Sequence, residues 1–157
     1  ELMPNLIKKY VIASGLARGV DGMAHESALH HGGKTVAVVG NGINHFYPAL
    51  NQFLQLELVE KALLISEYLP DTPPKPFRFP ERNRILAGLS DLVIVTEARE
   101  QSGSLITANM ALHENRDVYA VPGPITCDLS KGPNRLIEVG AIPIVDFKLE
   151  EPFQNIE

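Results

Sequence analysis

Short apolar runs rich in Val and Ile recur along the chain: Val11 to Ala13, Thr35 to Val39, Leu63 to Ile65, Leu92 to Thr96, Val118 to Val121 and Ala141 to Val145. None alternates with polar residues, which is the pattern of strands covered on both faces. The stretches between them, Gly22 to His31, Ala49 to Lys61, Arg82 to Leu89, Leu105 to Asn115 and Asn134 to Val139, suit helices. Strand and helix alternate, so the pattern predicts an α/β fold with a mostly parallel sheet and helices on both faces. Pro143 cannot donate a ladder hydrogen bond, which places the last strand at an edge. Residues 1–10, ELMPNLIKKY, read as the end of a preceding helix, and residues 69–80 as a stiff loop holding five prolines. No internal repeat or second domain is visible, and residues 1–157 are expected to form one domain, a piece of a longer protein.

Composition narrows the function classes. An apolar share of 45% is ordinary for a globular domain, and no apolar run is long enough to span a bilayer, so a cytoplasmic protein is expected. A net charge of -5 excludes a generally basic nucleic-acid coat. The single Cys127 has no cysteine partner for a disulfide or a zinc site and reads as a reduced packing residue.

In a parallel α/β sheet, ligands bind beyond the carboxyl ends of the strands. The residues that follow the strands here are SGLARG (Ser14 to Gly19), GNGI (Gly40 to Ile43), SEY (Ser66 to Tyr68), EAREQSGSL (Glu97 to Leu105) and PGPI (Pro122 to Ile125). Glycine and serine turns of this kind let backbone amides approach phosphate oxygens. In QSGSLITA, Ser102 or Ser104 suits an N-cap, Gly103 permits a tight turn, and a helix follows whose free amides face the crevice. KPFRFPERNR concentrates four cations, Lys75, Arg78, Arg82 and Arg84, with Phe77 and Phe79 interleaved. Cations follow phosphates and rings accept base faces, which suits a single-stranded nucleic acid.

Enzyme and cofactor motifs start and do not complete. HGGKT has Ala28 where a P-loop needs its first glycine, and GNGINH has His45 where a dinucleotide fingerprint needs its third. SGS at 102–104 lacks the spacing of a nucleophile elbow. Asp21 and His25 can share a helical face but find no third metal ligand, so neither cofactor nor metal is expected. Asp21 reads as an acidic residue at a helix start, with a partly buried histidine nearby. Glu67 and Glu97 follow strands and could form an acid/base pair or brace the glycine-rich loops.

The blocks SGLARGVDGMAH, VAVVGNGINHFYP, ISEYLP, FPERNRILAGLSD, EAREQSGSLITA and AVPGP, in this order and spacing, resemble the DNA-processing protein A family (DprA, also called Smf). The resemblance runs from about Val11 to Ala141. It implies a three-layer, extended Rossmann-like domain that binds single-stranded DNA, protects incoming DNA in natural transformation, loads the RecA recombinase and acts as a homodimer. It also implies a further first strand, with a Gly-Ser/Thr-Arg turn, ahead of Glu1. FPERNRILAGLSDLVIV is in addition similar to LOG-type phosphoribohydrolases, in which an arginine works with the glutamate of a PGGxGTxxE loop. Thr107 stands here in that glutamate's place, which favours a binder over an enzyme using a crevice glutamate with Arg82. The expected DNA- and phosphate-binding set is Ser14, Gly15, Arg18, Gly19, Asn41, Gly42, Lys75, Phe77, Phe79, Arg82, Asn83, Arg84, Ser102, Gly103, Ser104 and Thr107, with no catalytic residue.

Overall fold

The computed structural model describes residues 2–146. In chain order its elements are α1 (Met3–Leu6), β1 (Ile12–Ser14), α2 (Val20–His30), β2 (Thr35–Val38), α3 (Gln52–Lys61), β3 (Leu63–Ile65), α4 (Arg78–Leu89), β4 (Leu92–Val95), α5 (Gly103–His113), β5 (Asp117–Ala120), α6 (Lys131–Glu138) and β6 (Ile142–Pro143). Single turns of 3-10 helix precede α3 and α6. Glu1 and residues 147–157, with that part of the expected single domain, lie outside the described residues.

Every strand pair is parallel, as the unalternating apolar runs predict, and the fold is of the α/β, Rossmann-like class. Pairing among the described strands divides into two sheets, β1-β2-β3 and β4-β5-β6, where the sequence suggested one. Ala13 is in register with Val36 and Ala37 with Leu64 in the first; Val93 is in register with Val118 and Ala120 with Pro143 in the second. Pro143 does lie in an edge strand. Each sheet has its own core, Leu16, Ala37, Val39, Leu54 and Leu58 in the first, and Val95, Ala108, Ala111, Val118 and Leu136 among others in the second. Helices α4 and α5 pack against one another, and α4 also touches β1 and β2, so this pair ties the two halves together.

Two local expectations are corrected. The proline-rich loop ends earlier than residue 80, because α4 begins at Arg78 and takes Phe79 and Pro80 into its first turn. Proline is compatible with that turn, whose N–H groups have no intrahelical acceptor. Cys127, expected to pack, is exposed at the start of the 3-10 turn before α6.

Candidate nucleic-acid interface

The SGLARG turn leaves β1 and enters α2 through Gly19, whose φ of 84° is open to glycine and strained for other residues. Leu16, with φ 56°, is held in the same left-handed region while its side chain is fully buried. A leucine keeps that conformation only where its surroundings over-determine it, and here they do. Asp21 Oδ2 accepts the N–H groups of Gly15 and Ala17 at 3.1 and 3.2 Å. From the 3-10 turn that leads into α3, Asn51 Nδ2 donates to the carbonyls of Leu16 and Ala17, both at 3.0 Å. The turn is thereby pinned from α2 and from the turn before α3, with Arg18 exposed on it. Asp21 was legible as an acidic residue at a helix start; Asn51, 34 residues from Ala17, carried no sequence signal.

Arg82 is only 4% exposed. Its Nη1 donates to the Gly15 carbonyl at 2.6 Å and also to the Val38 carbonyl, joining the carboxyl ends of β1 and β2. A methyl group on Gly15 would lie within 2.6 Å of the guanidinium, so the absent side chain is what admits it. Burial lowers the Arg82 pKa and Asp21 opposes that shift, yet guanidinium remains charged at neutral pH. No carboxylate forms an ion pair with it among the described residues. Its positive charge therefore sits at the carboxyl ends of β1 and β2, compensated there by backbone carbonyls.

Asn83, also buried, accepts from Arg82 Nε at 3.2 Å and donates from Nδ2 to the Gly103 carbonyl at 3.2 Å. This carries the linkage across to α5, where Ser102 is the N-cap and its hydroxyl accepts the Ser104 N–H at 3.3 Å. Thr107 Oγ1 donates back to the Gly103 carbonyl at 3.2 Å. Glu97 points its Oε1 toward Gly19, about one van der Waals contact from where a Cβ would stand. Gly15, Arg82, Asn83 and Gly103 are thus linked in one chain of hydrogen bonds, although they come from the turn after β1, from α4 and from the start of α5. The positive end of the α5 dipole and the buried guanidinium both favour an anion there.

Beneath the same turn, His25 is completely buried, not partly as the sequence suggested. Its Nδ1 lies 2.6 Å from Thr35 Oγ1, and that hydroxyl lies 2.7 Å from the Ile12 carbonyl. A hydroxyl has one proton; when Thr35 gives it to Ile12, His25 must carry its proton on Nδ1. Nε2 has no partner within normal hydrogen-bond geometry among the described residues, although the Ser14 backbone acts on the ring. Desolvation lowers the His25 pKa to about 4, with Arg82 acting in the same direction and Asp21 against it. Among the described residues there is no cluster of three or more His, Cys, Asp or Glu suited to a metal.

The remaining expected site residues are placed differently. Asn41 and Gly42 are buried under the proline-rich segment. Asn41 Nδ2 donates to the carbonyls of Gly42 and His45, and Gly42 N–H donates to the Thr72 carbonyl at 2.8 Å. A Cβ at Gly42 would stand 2.2 Å from the carbonyl oxygens of Leu69 and Pro70. Gly42→Ala is accordingly expected to displace residues 69–72 and cost about 2 kcal/mol, the range of an overpacked contact plus a lost hydrogen bond. Urea denaturation checks this, and an unchanged midpoint would show that the segment yields freely.

Phe79 stacks on Tyr47 with ring centroids 5.0 Å apart and covers Gly40. Phe77, by contrast, is 55% exposed, with the Arg78 guanidinium 5.5 Å from its ring centre, and Lys75 beside it is exposed. Arg78 also lies over Tyr68 and donates to the Pro73 carbonyl. Arg84 turns away from Arg82 and forms an exposed ion pair with Glu67. Glu67 and Glu97 are therefore engaged separately, one with Arg84 and the other beside Gly19.

Comparison with known proteins bears on this geometry. The family model for DNA recombination-mediator protein A matches residues 1–151. The DNA processing protein DprA of Streptococcus pneumoniae is 50% identical over 141 residues, which are 90% of this chain and 50% of that protein. Protein Smf of Escherichia coli is 47% identical over 147 residues, covering 93% of this chain and 39% of that one. The X-ray structure of the S. pneumoniae protein superposes with a TM-score of 0.88 at 47% identity, over 93% of this chain and 52% of that one. A Helicobacter pylori DNA processing protein A structure, described as giving insight into its single-stranded DNA binding mode, superposes with a TM-score of 0.84 at 32% identity, over 93% and 66% of the two chains. The chain thus spans about half the length of the first of these relatives, and over that span both sequence and fold assign it: it belongs to the DNA recombination-mediator protein A family.

Proposed function

We propose that this domain binds single-stranded DNA without altering it chemically, in DNA processing in the cytoplasm. The observation that supports this best is the convergence of the pinned SGLARG turn, the buried Arg82 charge, Asn83 and the Ser102–Ser104 end of α5 on one crevice. A phosphate would sit there, held by Arg18 and by the amides around Gly103, with Ser14, Gly15 and Gly19 allowing close approach. Lys75 and Phe77 would extend the track, the ring taking a base. Stacking of that kind is worth roughly 1 to 3 kcal/mol per base. Phe79, Asn41 and Gly42 would serve by holding the segment that presents Phe77, and Arg84 by bracing Glu67. The H. pylori relative, with its described single-stranded DNA binding mode, supports the same reading. Loading of RecA and action as a homodimer belong to this proposal as functions of the whole protein.

With Arg18, Lys75 and Arg82 engaged, at about 0.7 per phosphate on a single strand, log Kd should change with log salt concentration with a slope of magnitude about 2. Titration of oligo-dT across salt concentrations tests this, and a flat dependence would refute the phosphate site. A hydrolase related to the LOG-type enzymes would need a carboxylate working with Arg82; both Nη1 contacts of Arg82 go instead to backbone carbonyls. Incubation with nucleoside monophosphates should release no free base, and release that disappears in Glu97→Gln would overturn the non-catalytic reading.

A further inference from the structure

The SGLARG turn already holds an anion, and the chain itself supplies it. Leu16, in the left-handed region, lies between Gly15 and Ala17, whose N–H groups both donate to Asp21 Oδ2, at 3.1 and 3.2 Å. Amides gathered around a left-handed residue form a concavity that suits a phosphate oxygen; here a carboxylate oxygen from the first turn of α2 fills it. On its other side Gly15 gives its carbonyl to Arg82 Nη1 at 2.6 Å. Carboxylate and guanidinium thus hold the two ends of one residue, and among the described residues they form no ion pair with each other. Their charges are nevertheless felt across it, since Asp21 supports the protonated forms of both Arg82 and the buried His25. Arg18 is exposed on the same turn.

A negative charge beside these two arginines opposes the binding of any phosphate that they attract. The bonds to the turn do not require that charge, because both go to Oδ2 and the amide oxygen of an asparagine can take its place. We infer that Asp21 is a positioning residue with two opposed effects on the crevice: its oxygen fixes the SGLARG turn in the shape the ligand needs, and its charge weakens the hold of Arg18 and Arg82 on phosphate, so that a captured strand is also released. This deepens the single-stranded DNA reading and rests on it. A carboxylate at this place also favours the start of α2 through the helix dipole, but an effect of that kind alone would leave ligand affinity unchanged when the charge is removed.

The test separates bond from charge in the whole chain. Asp21→Asn keeps both bonds and removes the charge; it should bind oligo-dT about threefold or more tightly than wild type at low salt, and the gain should shrink as salt screens the charge. Asn51→Ala keeps the charge and removes the bonds to the Leu16 and Ala17 carbonyls, so it should bind more weakly than wild type. Asp21→Ala loses bonds and charge together and should bind more weakly than Asp21→Asn. Fluorescence anisotropy with labelled oligo-dT gives the affinities, and circular dichroism shows which variants are folded. An Asp21→Asn chain that binds no more tightly than wild type would overturn the proposal, and so would one that does not fold, since the turn would then need the charge itself. If oligo-dT binds to neither chain, the single-stranded DNA reading falls separately, and inorganic tripolyphosphate, followed by amide chemical shifts at residues 15–19 and 102–104, decides the charge effect. Tighter binding by Asp21→Asn would still support it; equal affinity, or no binding, would overturn it.

Discussion

Arg82→Ala is expected to lower the stability of the domain by about 4 kcal/mol and to abolish binding of oligo-dT. The side chain supplies the donors for the Gly15 and Val38 carbonyls at the ends of two strands, and each buried acceptor left unpaired costs about 1–3 kcal/mol. Its removal also empties the space beside Gly15 and frees Asn83, which holds the start of α5. Arg82→Lys should recover only part of the loss, since a single ammonium cannot reproduce the planar fork that reaches two carbonyls and Asn83 together. Arg84→Ala provides the contrast, because its pair with Glu67 is exposed and such pairs are worth about 0–1 kcal/mol. Urea unfolding followed by circular dichroism measures all three. A loss below about 1 kcal/mol for Arg82→Ala would mean that water or neighbouring amides satisfy the two carbonyls, and that Arg82 is not the strut of the crevice.

The second large effect depends on pH. His25 titrates near 6.5 when unfolded and near 4 when folded, because burial disfavours its charged form. Above about pH 6.5 neither state binds the proton and the full stability is present. As pH falls from 6.5 to 4 the unfolded chain takes up a proton that the folded one refuses, so stability is lost, by about 3 kcal/mol in all; below pH 4 this group contributes no further loss. His25→Phe fills similar space and cannot titrate, while Thr35 keeps its bond to the Ile12 carbonyl. Denaturation curves between pH 8 and 4 should therefore show wild type losing about 3 kcal/mol more than the variant. Parallel acid limbs would assign the acid sensitivity to other groups. Since Asp21 and Arg82 both act on this ring, the same experiment reports on the floor beneath the SGLARG turn.

Much of the layout was legible because it rests on local rules. Apolar runs without alternation announced parallel, doubly covered strands, Pro143 announced an edge, and Ser102 announced a capped helix. The turn after β1 and the start of α5 hold Gly15 and Gly103, which Arg82 and Asn83 of α4 link by hydrogen bonds. Contacts distant in sequence decided what local rules left open. FPERNR placed Arg82 and Arg84 together beside a phosphate crevice; residues 82 and 84 lie about 200° apart around a helix, so Arg82 is driven inward and Arg84 outward to Glu67. GNGINH read as a ligand turn, yet its glycine admits the backbone of residues 69–72, which no local pattern records. Phe77 and Phe79 looked equivalent; only the position of Tyr47 engages one and leaves the other exposed.

The sequence by itself determined the class of fold, the order of its elements and the end of the sheet at which glycine, serine and cation gather, because periodicity, capping and turn chemistry act over a few residues. Tertiary structure decided which cation is buried and which is exposed, how Asp21 and Asn51 pin a strained Leu16, and which phenylalanine Tyr47 holds. Those outcomes depend on which groups meet from distant parts of the chain, and on whether a charge or a ring finds a partner when they do.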